Sequence, residues 1–248
     1  MLFRRASPRL QPDEVIEVEG YPVRLTVSGR ARRISLRLDP ARGEVLLVAP
    51  SLKKLPEAVG FAHTRGAWIA ARLGELPTRI SLKRGASLSV GGETYVLERA
   101  AMRIKPRLIP PNEHEPGRLL AYGEGEVFAR AVERALRAEA LARLASRTAW
   151  HCAALGVEVP ALGLQDARSR WGSCRQAHGV EPARIRYNWR LVLSPPEVLD
   201  YVAAHECAHL IEANHSPRFW AVVKRLYGDP ARARNWLKLN GAALHAVG

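Results

Sequence analysis

A chain of 248 residues with 47% hydrophobic and 25% charged residues can bury one large core or two smaller ones. It lacks the repeats or low complexity of a fibre, solenoid or disordered chain, and no run approaches the roughly 18 apolar residues of a membrane span. The 38 basic residues outnumber the 24 acidic ones, a formal charge of +14, and residues 1–110 hold 20 basic against 10 acidic residues.

The first residues, MLFRRASPRLQPDE, are basic without an apolar stretch and do not read as a secretory signal. Residues 21–49 then read as strands: YPVRLTV, RRISLRL and EVLLVAP alternate apolar with polar or basic positions, divided by Ser28-Gly29 and by Pro40 to Gly43. The pattern predicts an antiparallel meander with one solvated face on which Arg24, Arg30, Arg32, Arg33 and Arg37 crowd together. Arg32 is expected to sit in the same strand as Ile34, Leu36 and Leu38. Such a patch can hold the phosphates of a nucleic acid; the alternative is a solvated face in an arginine-rich proteome. Residues 55–74 carry Val59, Ala62, Ile69, Ala70 and Leu73 at helical spacing and predict one helix ending at Gly74.

Further on, Gly91-Gly92 between Ser87–Val90 and Thr94–Arg99 predicts a hairpin, and residues 103–108 and 118–122 can add strands. The loop IPPNEHEPG at 109–117 suggests a boundary between a basic, β-rich region 1–110 and a domain over 118–248. A long helix is predicted from about Glu126 to Leu155, capped by Gly156. GLQDARSRWGSC and RIRYNWRLVLS read as strands. Ser194-Pro195-Pro196 opens a helix through PEVLDYVAAHECAHLIEA, Ser216-Pro217 opens another to Tyr227, and Asp229-Pro230 opens the last. The expected fold class is α+β.

The chemistry concentrates at His205-Glu206-Cys207-Ala208-His209. Histidines at i and i+4 share one helical face, so both imidazoles can reach one metal ion, and Glu206 projects beside it as a candidate general base. His215 follows six residues after His209, a spacing that suits a third ligand once the chain leaves the helix at Glu212-Ala213-Asn214. No glutamate follows His215, and Asp229 is the other candidate for the third position, although Gly-Asp-Pro also reads as a helix cap. Cys152, Cys174 and Cys207 are odd in number and far apart, without a C-x-x-C pair. They read as core thiols rather than disulfides or ligands, which favours a reducing compartment and a cytoplasmic location. His63, His114, His151, His178 and His245 have no ligand spacing.

SRWGSC followed by YNWRLVLSPPEVLDYVAAHECAHLIEANHSPRFWAVV resembles the YgjP-like metal-dependent peptidases, relatives of the SprT-like zinc proteases in the zincin superfamily. The likeness is strong over about Arg168–Trp236 and weaker through VRLTVSGRARRISLRLDPARGEVLLVAP. It implies a zincin-like C-terminal domain with an HExxH active-site helix, a Zn2+ site of His205, His209 and His215, Glu206 as catalytic base, and a protein or peptide substrate. A hydrolase of non-peptide amides, and a nucleic-acid-binding protein with a structural or vestigial zinc site, are the rival expectations. Arg170-Trp171-Gly172-Ser173-Cys174 is expected mainly to pack beneath the site helix, residues 184–192 or a neighbour to border the cleft, and Phe219 and Trp220 to pack under the loop of His215. Tyr187, Tyr201, Arg170 and Tyr227 are the candidate oxyanion donors.

Overall fold

The computed structural model describes residues 10–39, 43–74 and 80–248. They form a mixed α+β structure of two compact units, Met1–Thr78 and Arg79–Gly248.

The first unit is a four-stranded sheet with two helices on it. The strands are β1 (Val15–Val18), β2 (Tyr21–Val27), β3 (Ser35–Asp39) and β4 (Glu44–Ala49), in the order β1-β2-β4-β3. The expected meander is not what forms: β2 and β4 pair parallel, with Leu25 opposite Leu47, and β3 pairs antiparallel to β4 from the edge. The reason lies in EVLLVA, where Val45, Leu47, Val48 and Ala49 are all buried. A strand covered on both sides belongs in the middle of a sheet, and the strand with exposed Arg37 goes to the rim. Val23, Leu25, Val45 and Leu47 pack against Leu55, Ala58, Ala62 and Ile69 of the helices. The single helix expected over 55–74 is two, α1 (Leu55–His63) and α2 (Gly66–Gly74). At the break, Thr64 Oγ1 donates to the Phe61 carbonyl at 2.7 Å, a local bond that competes with helix continuation.

The arginine face also differs from expectation. Arg24 grips Glu44 through two hydrogen bonds of 2.8 and 3.0 Å and donates a third to the Asp13 carbonyl. Arg32 lies before β3 rather than in it, while Arg30, Arg32, Arg33 and Arg37 are exposed.

In the second unit, β5 (Ser87–Val90) and β6 (Glu93–Arg99) form the predicted hairpin, with Gly91 and Gly92 at φ 62° and 87°. With β7 (Arg107–Ile109) and β8 (Gly117–Ala121) they make a sheet in the order β5-β6-β8-β7. The loop at 109–117, read from sequence as a boundary, is the connection between paired strands inside this unit. Leu88, Leu97 and Leu119 share one core with Phe128, Val132 and Leu136 of the long helix α3 (Gly125–Leu155). That common burial holds the sheet to the helical part. Gly156 takes φ 69° and ends α3, as Val157 N–H reaches back to the Cys152 carbonyl.

A second small sheet follows, of β9 (Ala161–Gln165), β10 (Gly172–Arg175) and β11 (Arg184–Asn188), in the order β10-β11-β9. A 3-10 turn over Trp189–Leu193 leads into α4 (Pro196–Ala208), then α5 (Pro217–Tyr227) and α6 (Ala231–His245). Pro195, not Ser194, is the N-cap of α4, and Ser194 Oγ instead donates to the Leu191 carbonyl at 2.7 Å. Asp200 of α4 accepts from Arg147 and bonds His151, both on α3, at 2.6 and 2.7 Å. These bonds fix the helix that carries His205 and Glu206. Among the described residues no helix is long and apolar enough to cross a membrane.

Candidate metal centre

The sequence runs the site helix to Ala213, but α4 stops at Ala208 with His209 as its C-cap. There the carbonyl of Glu212 accepts from His209 Nδ1 at 3.0 Å. That bond puts the proton on Nδ1 and leaves the Nε2 lone pair free. The chain then doubles back, and Ser216 opens α5 by accepting from Phe219 N–H at 3.3 Å. The turn brings His215 Nε2 to 3.1 Å from His205 Nε2. One donor atom from each of His205, His209 and His215 lies within 4.8 Å of the other two. Nitrogens bound tetrahedrally at 2.0–2.1 Å sit about 3.3 Å apart, so this spacing fits one divalent ion with small adjustment of His209.

Protonation agrees with that fit. Burial, with His209 and His215 nearby, pushes His205 down to about 4, and burial also lowers His209. Both imidazoles are neutral at neutral pH, the form in which a histidine can ligate a metal. Phe219 supports all three imidazoles, its ring centroid lying 4.9, 4.5 and 4.7 Å from those of His205, His209 and His215. Trp220 meets the Phe219 ring edge-on at 5.2 Å, so the two pack together beside His215 as expected of this pair.

Glu206 is 6% exposed, and burial drives its carboxyl up to about 8, against the opposing pull of Arg170. A carboxyl with a proton affinity near neutrality can take up and return a proton. Its side chain lies against Gly172 of β10, where any Cβ would collide with the carboxylate. So the glycine of the Arg-Trp-Gly-Ser-Cys segment is required by close approach, and the segment expected mainly to pack also walls the site.

These groups open onto a cleft of about 690 Å3, whose walls include Arg170, Gly172, Tyr201, Glu206 and Arg234 beside the three histidines. Two of the four anticipated oxyanion donors are in it. Tyr201 Oη lies 3.5 Å from His205 Nδ1, and Arg170 lines the rim. Tyr187 is fully buried with its hydroxyl 2.9 Å from Thr148 Oγ1, and Tyr227 packs edge-on against Tyr201, away from the walls. Arg234, not singled out from sequence, is held 4.9 Å over the Trp220 ring. Asp229 accepts from Ala231 N–H at 3.0 Å, the capping role, and lies outside the donor cluster. Cys207 and Cys152 are buried core thiols, whereas Cys174 is half-buried on the cleft wall, and burial pushes its thiol up to about 12. His151 is buried on Asp200, and His245 stacks on Trp171 at 4.7 Å.

The strand bordering the cleft is β10. The central strand β11, which sequence considered for that role, has β10 on one side and β9 on the other. Asn188 N–H donates to the Trp171 carbonyl at 2.8 Å. With Gly172 opposite Tyr187, antiparallel alternation turns the N–H and C=O of Gly172 and Cys174 outward to the free edge.

No curated protein and no solved structure matches the chain. The model of the YgjP-like metallopeptidase domain matches residues 32–240. That span takes in every wall residue of the cleft. The chain therefore belongs to the YgjP-like family of metallopeptidases.

Proposed function

We propose that the chain is a zinc-dependent peptide hydrolase with a zincin-like site, in which His205, His209 and His215 hold the ion and Glu206 is the general base. The observation that carries the reading is the convergence of three imidazole nitrogens within 4.8 Å beside a buried carboxyl in one cleft. Zinc, when bound by three neutral imidazoles, would acidify water and polarise a carbonyl as a Lewis acid.

The chain's own groups do the rest. The outward backbone groups of Gly172 and Cys174 can pair with an extended peptide and hold its scissile bond across the cleft. Glu206 accepts the proton of the attacking water and returns it to the leaving amine. Arg170 is the cationic donor for the tetrahedral oxyanion, while the Tyr201 hydroxyl orients the His205 ring. Every group used lies between Arg170 and His215.

The test has two parts. The purified chain should hold about one zinc, lost on chelation and in His205→Ala, by metal analysis. Glu206→Gln should keep the zinc and lose about 100-fold or more in peptide hydrolysis. Wild-type chain unable to take up zinc overturns the site, and unchanged turnover in the Gln variant overturns the base.

A further inference from the structure

Beyond the cleft, β10 and β11 present a second hollow of about 540 Å3, and it shares Ser173 and Cys174 with the cleft wall. Its charge is one-sided. Arg175 stands opposite Arg184 in the strand register, and Ser173 opposite Arg186. Strand alternation sends Ser173, Arg175, Arg184 and Arg186 to the same, solvent-facing side of the sheet. Like charges directly opposite one another destabilise a sheet. Arg175 is relieved by an ion pair with Glu181. Among the described residues, neither Arg184 nor Arg186 has a carboxylate within ion-pair distance. Glu181 is the only acid lining this hollow.

We infer that the substrate of this cleft is an acidic polypeptide segment, its backbone extended along β10 and its carboxylates over Arg184 and Arg186. The inference rests on the peptide-hydrolase reading for its backbone placement. A strand added beyond β10 would lie about 10 Å from β11, a gap that an arginine and a glutamate side chain span together. Every second side chain of that strand points to the arginine side. The recognised pattern is therefore two acidic residues separated by one of any kind.

The experiment uses the full zinc-loaded chain with Glu206→Gln, so that peptides persist. Fluorescence anisotropy compares labelled peptides of equal length carrying Glu or Gln at alternate positions. The Glu peptide should bind about tenfold tighter at low salt, the joint effect of two or three exposed charge pairs. Near 300 mM salt the margin should shrink. Adding Arg184→Gln and Arg186→Gln together should cut it below about twofold and leave the Gln peptide's affinity unchanged. Equal affinities overturn the inference, as does a margin that survives the double change. A single-stranded oligonucleotide that binds as tightly, through the same two arginines, also overturns it and marks a general polyanion surface. Turnover by the unsubstituted chain separates the two readings. A binding margin without hydrolysis removes the hydrolase and keeps the groove, whereas hydrolysis of both peptides at equal kcat/KM keeps the hydrolase and removes the groove.

Discussion

Both units of the chain carry arginines on the open side of a small sheet, and the two sheets use them differently. In the first, Arg24 is locked on Glu44 and Asp13, and the sheet's apolar side is closed by its own helices. In the second, Arg184 and Arg186 have no carboxylate partner in the sheet, and they flank an edge strand that opens onto the cleft. The excess charge of residues 1–110 pointed to the first sheet as the place where charge meets a partner. Local pairing ties down Arg24, while Arg30, Arg32, Arg33 and Arg37 stay exposed; what sets the second sheet apart is that its arginines flank an open strand edge beside the cleft.

The contrast can be sharpened by experiments on either side of it. The largest expected effect is at Gly172, whose missing side chain leaves room for Glu206. Gly172→Ala should displace the carboxylate, lower peptide hydrolysis about tenfold or more, and leave metal content and folding in place. Steady-state kinetics beside metal analysis reads this, and full activity would show that the carboxylate tolerates the shift.

Next comes the tie between α3 and α4. Burial alone would raise the Asp200 carboxyl, but hydrogen bonds and charge from His151 and Arg147 outweigh it and hold the carboxyl below its usual range. A carboxyl depressed in the folded state stabilises above its unfolded value near 3.9 and loses that contribution as pH falls through the lower folded value. Asp200→Ala should reduce stability at pH 7 by about 2 kcal/mol and flatten the acid limb of the pH profile. Urea melts from pH 7 down to about 3 would check it, and parallel profiles would refute it.

The smallest effect belongs to the loop that joins β2 to β3. Arg30→Ala, Arg32→Ala and Arg33→Ala together should change peptide hydrolysis by less than about twofold, since these side chains are exposed and none lines the cleft. A larger loss would break the contrast and give the N-terminal arginines a part in catalysis.

Much of the fold was legible because the signals were local. Gly91-Gly92, Gly156, and Ser216-Pro217 each fix one turn or cap, and the structure uses each as read. What was illegible was pairing over distance. The register of β2 on β4 depends on which strand is covered on both faces, and a strand such as EVLLVA does not announce its neighbours. The break at Thr64 is invisible in the sequence because its hydroxyl bond leaves no mark in the apolar spacing. His205, His209 and His215 were visible as a spacing, and the structure brings the three together. Arg234 and Asp200 were not, because each is defined by what it faces on another helix.

The free edge of β10 has a consequence for self-association. A strand with outward N–H and C=O groups can pair with another copy of itself as readily as with a substrate, which is how exposed edges seed aggregates. Two copies meeting edge to edge here would bring Arg175, Arg184 and Arg186 of each sheet onto a common surface. Their mutual repulsion works against that contact while leaving the edge open to acidic chains. The same guanidiniums thus act as gatekeepers, keeping the strand available at concentrations where a neutral edge would stick.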